Sequence, residues 1–213
     1  MSKIKNAKEN FFLITLFFVT FLIFFFILST GYGYAESVFL KNKDIDSVYK
    51  IPIKTDIDPA LASFVKNGIK EAEENKADLI IIEISSFGGL VDSAISVKDS
   101  IIKTSIPTIT FVSERAWSAG ALIALAGEEL VMQEGTSIGA AETRPNEEKY
   151  ISALRKEFNA TAQLRNKNPE LAEAMVDSDI EVEGIIAKDK LLTLTAGEAE
   201  ENNISNSTVR SFE

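Results

Sequence analysis

LIIIEISSFGGLVDSAISVKDSIIKTSIPTITFV, residues 79–112, decides the fold class. Its opening, LIIIEI (79–84), is a short continuous apolar run, the pattern of a strand covered on both faces. SSFGG then supplies turn residues, LVDSAISVKDSIIKT (90–104) reads as a helix, and after Pro107 the β-branched TITFV (108–112) reads as a second strand. A strand, a helix and a strand without a hairpin between them is the unit of a parallel sheet.

Outward from this unit the alternation continues. Upstream, SVYKIPIK (47–54) alternates like a strand, and DIDPALASFVKNGIKEAEENKAD (56–78) reads as a helix on which Ile57, Leu61, Phe64 and Ile69 recur at roughly helical spacing. Downstream, ERAW (114–117) reads as a loop, SAGALIALAG (118–127) as a short helix of small residues, and ELVM (129–132) as a strand. GTSIGAAETRP (135–145) reads as a glycine-bearing loop, followed by a helix from about Glu147 to Arg165 with Leu154 and Phe158 on the face of Tyr150. The expectation is an α/β domain over 48–213, with a mainly parallel sheet, helices outside, and loops at the carboxyl ends of strands free for chemistry. The last residues, ENNISNSTVRSFE (201–213), are expected to be incompletely ordered.

Before the domain, Lys3, Lys5 and Lys8 precede FFLITLFFVTFLIFFFIL (11–28), and GYGYAES follows with Gly33 and Ala35 before Glu36. Residues 1–35 therefore read as a secretory signal peptide or as a retained apolar anchor helix, and 36–47 as a linker. The lysines favour a cytoplasmic amino terminus, which places the rest on the extracytoplasmic side in either case.

The chain has 213 residues, 22 Lys and Arg against 32 Asp and Glu, and a formal net charge of −10, which argues against a nucleic-acid partner. It has no cysteine and no histidine. That removes thiol nucleophiles, histidine metal sites and the Ser-His-Asp triad, so a nucleophilic serine would need another base, such as a desolvated lysine.

Three features bear on such chemistry, each with two readings. Ser118 follows a strand and opens a helix, where main-chain N–H groups lie unpaired; serine is also simply a favoured helix cap. Gly88 and Gly89 end the preceding strand, and successive parallel strands would set their turn beside Ser118. Their N–H groups suit a developing oxyanion, yet a tight connection needing positive φ would also select glycine. Lys149 lies near the start of the long helix, where the dipole opposes a cation and burial would lower its pKa further; it could equally be a solvated surface lysine.

Taken together, the stretch from Ala77 to Glu142, with RNKNPELAEAMVDSDIEVEG and KLLTLTAGEA beyond it, closely resembles the ClpP-class membrane-bound serine proteases of the NfeD type, partners of stomatin-like proteins. The resemblance implies the ClpP/crotonase-like spiral of ββα units and endopeptidase activity through a Ser-Lys dyad without a cofactor or metal. On it, Ser118 is the nucleophile, Lys149 the base, and Gly88, Gly89 and Ala119 the oxyanion hole. It further implies apolar segments of membrane-associated proteins as substrates, a stomatin-like partner, and a homo-oligomer. Phe87 stands where that family usually has proline, which leaves the rigidity of the oxyanion strand less assured. The rival readings are a crotonase-type acyl-CoA enzyme using a carboxylate such as Glu142, and a non-catalytic scaffold for a stomatin-like assembly.

Overall fold

A computed structural model describes residues 45–212. The apolar run at 11–28 lies outside the described residues, as does most of the 36–47 linker. Among the described residues no helix is long and apolar enough to cross a membrane.

One mixed sheet organises the domain. Strands β1 (Val48–Ile53), β2 (Leu79–Ser86), β3 (Thr108–Trp117), β4 (Glu129–Gln133) and β7 (Ser207–Val209) lie side by side in that order, every neighbouring pair parallel. β5 (Ser137–Gly139) pairs with the last three residues of β3, beyond the reach of β4, and β6 (Thr193–Thr195) pairs antiparallel with β5. The connecting helices are α1 (Pro59–Glu74), α2 (Val91–Lys103), α3 (Ala119–Leu125), α4 (Glu148–Leu164), α5 (Pro169–Ala174) and α6 (Ala196–Glu201). As its unbroken apolar run predicts, β2 is buried along almost its whole length, with Ile80, Ile82 and Ile84 at 0% exposure.

Three expectations are corrected. On α1 the buried stripe is Ala62, Val65, Ile69 and Ala72, whereas Phe64 is half exposed. Ile57 is fully buried, but it precedes the helix, which starts at Pro59 under the Asp58 cap (Asp58 Oδ1 accepts from Leu61 N–H at 2.7 Å). ERAW is strand rather than loop, because Arg115, Ala116 and Trp117 find a hydrogen-bonding partner in β5, a segment too short and too rich in turn residues to announce itself. The carboxyl-terminal stretch is ordered by contacts from outside it. Ser207–Val209 pair with Val131–Gln133, and Asn206 Oδ1 accepts from Leu130 N–H at 2.8 Å.

The register between β2 and β3 positions the functional turns. Ile84 pairs with Val112 but Ser86 pairs with Ala116, so β3 carries two extra residues in between. Two steps beyond the Ser86–Ala116 pair, the chain reaches Gly88 on one strand and Ser118 on the other.

Candidate active site

Ser118 occupies a strained turn. Its φ of 53° and ψ of −123° lie in a region that costs a non-glycine residue about 1–3 kcal/mol, tolerated where the surroundings over-determine the conformation. Here they do: Ser118 N–H donates to the Gly139 carbonyl at 2.8 Å, Ser118 C=O accepts from Ala121 N–H at 2.9 Å, and all seven residues of α3 are buried. The turn points the side chain off the strand end, as in strand-to-helix nucleophile elbows. Ser118 stands at the N-cap position but its hydroxyl caps nothing, which corrects the reading of this serine as a helix cap; the hydroxyl has no partner among the described residues.

The two glycines have different tasks. Gly88, with φ of 121°, lies so close that a Cβ there would sit 2.6 Å from Ser118 Cβ. Its N–H is already taken, donating to Ser86 Oγ at 3.1 Å, while Ser86 Oγ donates to the Thr55 carbonyl at 2.8 Å. Of the expected trio, Gly88 thus gives room beside Ser118, and its N–H is engaged within the turn in this conformation. Its carbonyl accepts from Ile57 N–H at 2.9 Å, and Leu90 N–H donates to the Ile57 carbonyl at 2.7 Å. Ile57 thus clasps the turn from both sides and leaves the Gly89 N–H, like that of Ala119, without an acceptor among the described residues.

Ser118, Gly89 and Ala119 open together on a cavity of about 200 Å³, floored by Leu122, Leu154 and Phe158 and bordered by Glu142, Thr143 and Arg144. The cavity shares Leu90, Val91, Thr143, Arg144 and Leu154 with a larger, mostly apolar groove of about 540 Å³ that Tyr150, Pro145 and Ile95 extend. Leu90, Val91 and Tyr150 are exposed apolar side chains around this groove. Thr143 Oγ1 is buried there without a hydrogen-bond partner among the described residues, although buried hydroxyls are normally satisfied.

Lys149 is not brought to Ser118. Helix α4 begins at Glu148, so Lys149 is its second residue; the side chain is 68% exposed, with Nζ 3.8 Å from Glu147 Oε2 and 4.5 Å from the Tyr150 ring centre. It does not border the serine cavity, although Arg144 before it and Leu154 after it both do. Two other lysines are buried, and neither suits the role. Lys98 is held under the groove between Glu157 Oε2 (2.6 Å) and Asp99 Oδ1 (2.9 Å). Burial opposes its charge, but the two carboxylates outweigh that and hold its pKa above the ordinary lysine value. Lys167 is pushed down to about 8, chiefly by burial. Its Nζ donates to Asn206 Oδ1 at 2.7 Å beside the start of β4, which is level with the start of β3; Ser118 lies beyond the far end of β3, roughly 25 Å along the strand. Glu142 reaches the cavity rim, where Asn146 Nδ2 donates to its Oε1 at 3.3 Å.

The family model of the NfeD1b N-terminal domain matches residues 47–213. The chain belongs to the NfeD1b family. It is 38% identical over 168 residues to the membrane protein NfeD1b of Bacillus subtilis, covering 76% of this chain and 38% of that protein. It is 30% identical over 149 residues to the membrane-bound protease PH1510 of Pyrococcus horikoshii, covering 62% of this chain and 33% of that protein. The chain therefore spans about a third of the length of these curated relatives, 38% of one and 33% of the other. A serine-to-alanine mutant of the 1510-N membrane-bound stomatin-specific protease superposes with a TM-score of 0.68 at 27% identity, over 80% of this chain and 83% of that one. A lysine-to-alanine mutant of 1510-N, in complex with a substrate peptide, gives 0.66 at 28% identity, over 80% and 78%. ClpP1 of Listeria monocytogenes shares the fold, with a TM-score of 0.62 at 22% identity over 76% of this chain and 92% of that one.

Sequence reasoning about this NfeD1b-family domain missed the residues that hold the site rather than line it. Gly139 anchors the serine N–H, and a Cβ there would meet the Leu192 carbonyl oxygen at 2.4 Å. The second glycine of GTSIG was the available signal. Ser86 and Ile57 had none, since their contributions are one hydroxyl and two main-chain bonds made across the sheet.

Proposed function

We propose that the chain is a serine endopeptidase acting through a Ser118–Lys149 dyad on apolar segments of a membrane-associated protein such as a stomatin-like partner. The observation that carries this reading is the unpartnered Ser118 hydroxyl, in a strained turn, beside the open N–H groups of Gly89 and Ala119. Neutral Lys149 accepts the Ser118 proton as Oγ attacks the peptide carbonyl; the oxyanion takes the two N–H bonds. The lysine then protonates the leaving amine; water, deprotonated by the same lysine, attacks the acyl carbonyl, the bond to Ser118 Oγ breaks, and the lysine returns the proton to Oγ. The dyad requires the 143–149 segment to swing inward, separating Lys149 from Glu147; the segment already borders the cavity at Thr143 and Arg144. Arriving substrate supports that closure, because an extended peptide offers Thr143 Oγ1 the partner it lacks and covers the exposed Leu90, Val91 and Tyr150. The names of the relatives, membrane proteins and a stomatin-specific protease, support this substrate class and membrane association. We place the domain on the extracytoplasmic side, behind an amino-terminal signal or anchor, and assign it a homo-oligomeric state.

The test is labelling with a fluorophosphonate, read by mass spectrometry, together with cleavage of an apolar peptide. An adduct on Ser118, lost in Ser118→Ala, with cleavage lost in Lys149→Ala, is expected. An unlabelled Ser118 and no cleavage, with stomatin-like partner binding intact, would replace the protease by a scaffold.

A further inference from the structure

Phe87, the residue before the Gly88–Gly89 turn, is 63% exposed. It is nevertheless held. Its ring meets the Trp117 ring edge to face, with centres 5.5 Å apart and planes at 78°. The Arg115 guanidinium carbon lies 4.5 Å from the Phe87 ring centre and 5.9 Å from that of Trp117, so one cation covers both rings. The stack is tethered at its base: Trp117 Nε1 donates to Ser137 Oγ at 2.8 Å, and Arg115 Nη1 donates to Glu114 Oε2 at 3.1 Å, which also accepts from Ser85 Oγ at 3.0 Å.

The two rings belong to the residues immediately preceding the reactive groups. Phe87 precedes Gly88–Gly89 and Trp117 precedes Ser118, so the ring pair bridges two main chains whose relative position sets the distance from the Gly89 N–H to the serine hydroxyl. We infer that Phe87, Trp117 and Arg115 form a side-chain clamp that positions the oxyanion donor against the nucleophile. Phe87 is thereby a positioning residue rather than a substrate contact. The inference rests on the serine-hydrolase reading of Ser118, and its test separates the two.

The inactivation rate constant and the apparent affinity for a fluorophosphonate are measured for the wild type, Phe87→Ala, Phe87→Tyr and Arg115→Gln, alongside hydrogen exchange across residues 85–90. For Phe87→Ala we expect a rate constant lowered about tenfold, the effect of losing one ring-pair-sized interaction from the arrangement that binds the transition state, with affinity changed less than about twofold. Exchange at 88–90 should quicken, and Phe87→Tyr should restore both. Arg115→Gln should slow inactivation less, and should add little to Phe87→Ala because both break one stack. Acrylamide quenching of Trp117, the single tryptophan, should rise in Phe87→Ala. An unchanged rate constant, or a loss carried wholly by affinity, overturns the clamp. If the wild type is not labelled at all, the hydrolase reading fails, and the clamp is judged on exchange: unaltered protection at 88–90 in Phe87→Ala overturns it.

Discussion

Gly88→Ala should disable the site while leaving the fold standing. The added Cβ would lie 2.6 Å from Ser118 Cβ, 3.1 Å from Ser118 Oγ and 3.3 Å from the Trp117 carbonyl oxygen. Carbon atoms rest at about 3.5–4.0 Å, so the serine and the glycine turn must separate by about 1 Å. The turn cannot yield freely, because the Gly88 carbonyl is bonded to Ile57 N–H and its N–H to Ser86 Oγ. The φ of 121° adds about 1–3 kcal/mol for any L side chain. A misplacement of about 1 Å costs about a hundredfold in rate, so adduct formation at Ser118 should slow by at least about that factor, while unfolding free energy falls by about 2 kcal/mol. Intact-mass time courses with a fluorophosphonate give the first quantity and urea denaturation the second. Gly197→Ala is the control, since nothing lies within 4 Å of a Cβ there, and it should leave the labelling rate unchanged. Wild-type labelling and wild-type stability in Gly88→Ala would refute the contact between the glycine turn and the nucleophile.

Phe158 is fully buried, forms the floor of the serine cavity and belongs to the core, so Phe158→Ala should cost about 4 kcal/mol in urea denaturation and slow labelling as well. Glu83 is buried between Lys50 and Lys54, each at 2.8 Å; burial raises its pKa, but the two ammonium groups outweigh this and hold it below the ordinary glutamate value. Its stabilising contribution is present above the unfolded pKa and is lost as pH falls through the folded one. Glu83→Gln should therefore flatten the acid limb of the stability profile, and an unaltered acid limb would count against the pairing. Lys167 titrates in the same sense, at higher pH and because burial disfavours its charged form. Its folded pKa of about 8 lies below the ordinary 10.5, so the unfolded chain keeps the proton over that interval and stability rises with pH across it, by about 3 kcal/mol in all. The stability difference between wild type and Lys167→Met should shift by that order between pH 7.5 and 10.5, and a flat difference would refute the buried, desolvated placement.

Legibility in the sequence followed the range of the interactions involved. The buried β2 run and the alternation of strand and helix from β1 through α4 are local patterns, and they appear where they were expected. ERAW and the carboxyl-terminal stretch carry no such pattern, because each becomes a strand only when a distant segment supplies its hydrogen-bond partners. At the site, Ser118, Gly89 and Ala119 converge as the order of parallel strands suggests. Gly88 shares a turn with them but spends its N–H on Ser86, a detail set by one hydroxyl across the turn. Lys149 depended on a burial that helical position could not establish, and in this conformation its ammonium stays in water beside Glu147.

By itself the amino-acid order determined the parallel α/β architecture and the exclusion of histidine and thiol chemistry, since periodicity and composition are properties of the chain alone. Only the tertiary structure decided which N–H groups remain open, which glycine gives room beside the serine, and that an aromatic pair braces the turn. Those outcomes depend on a two-residue slip in register between β2 and β3, and a slip of that kind is fixed by packing against partners far away along the chain.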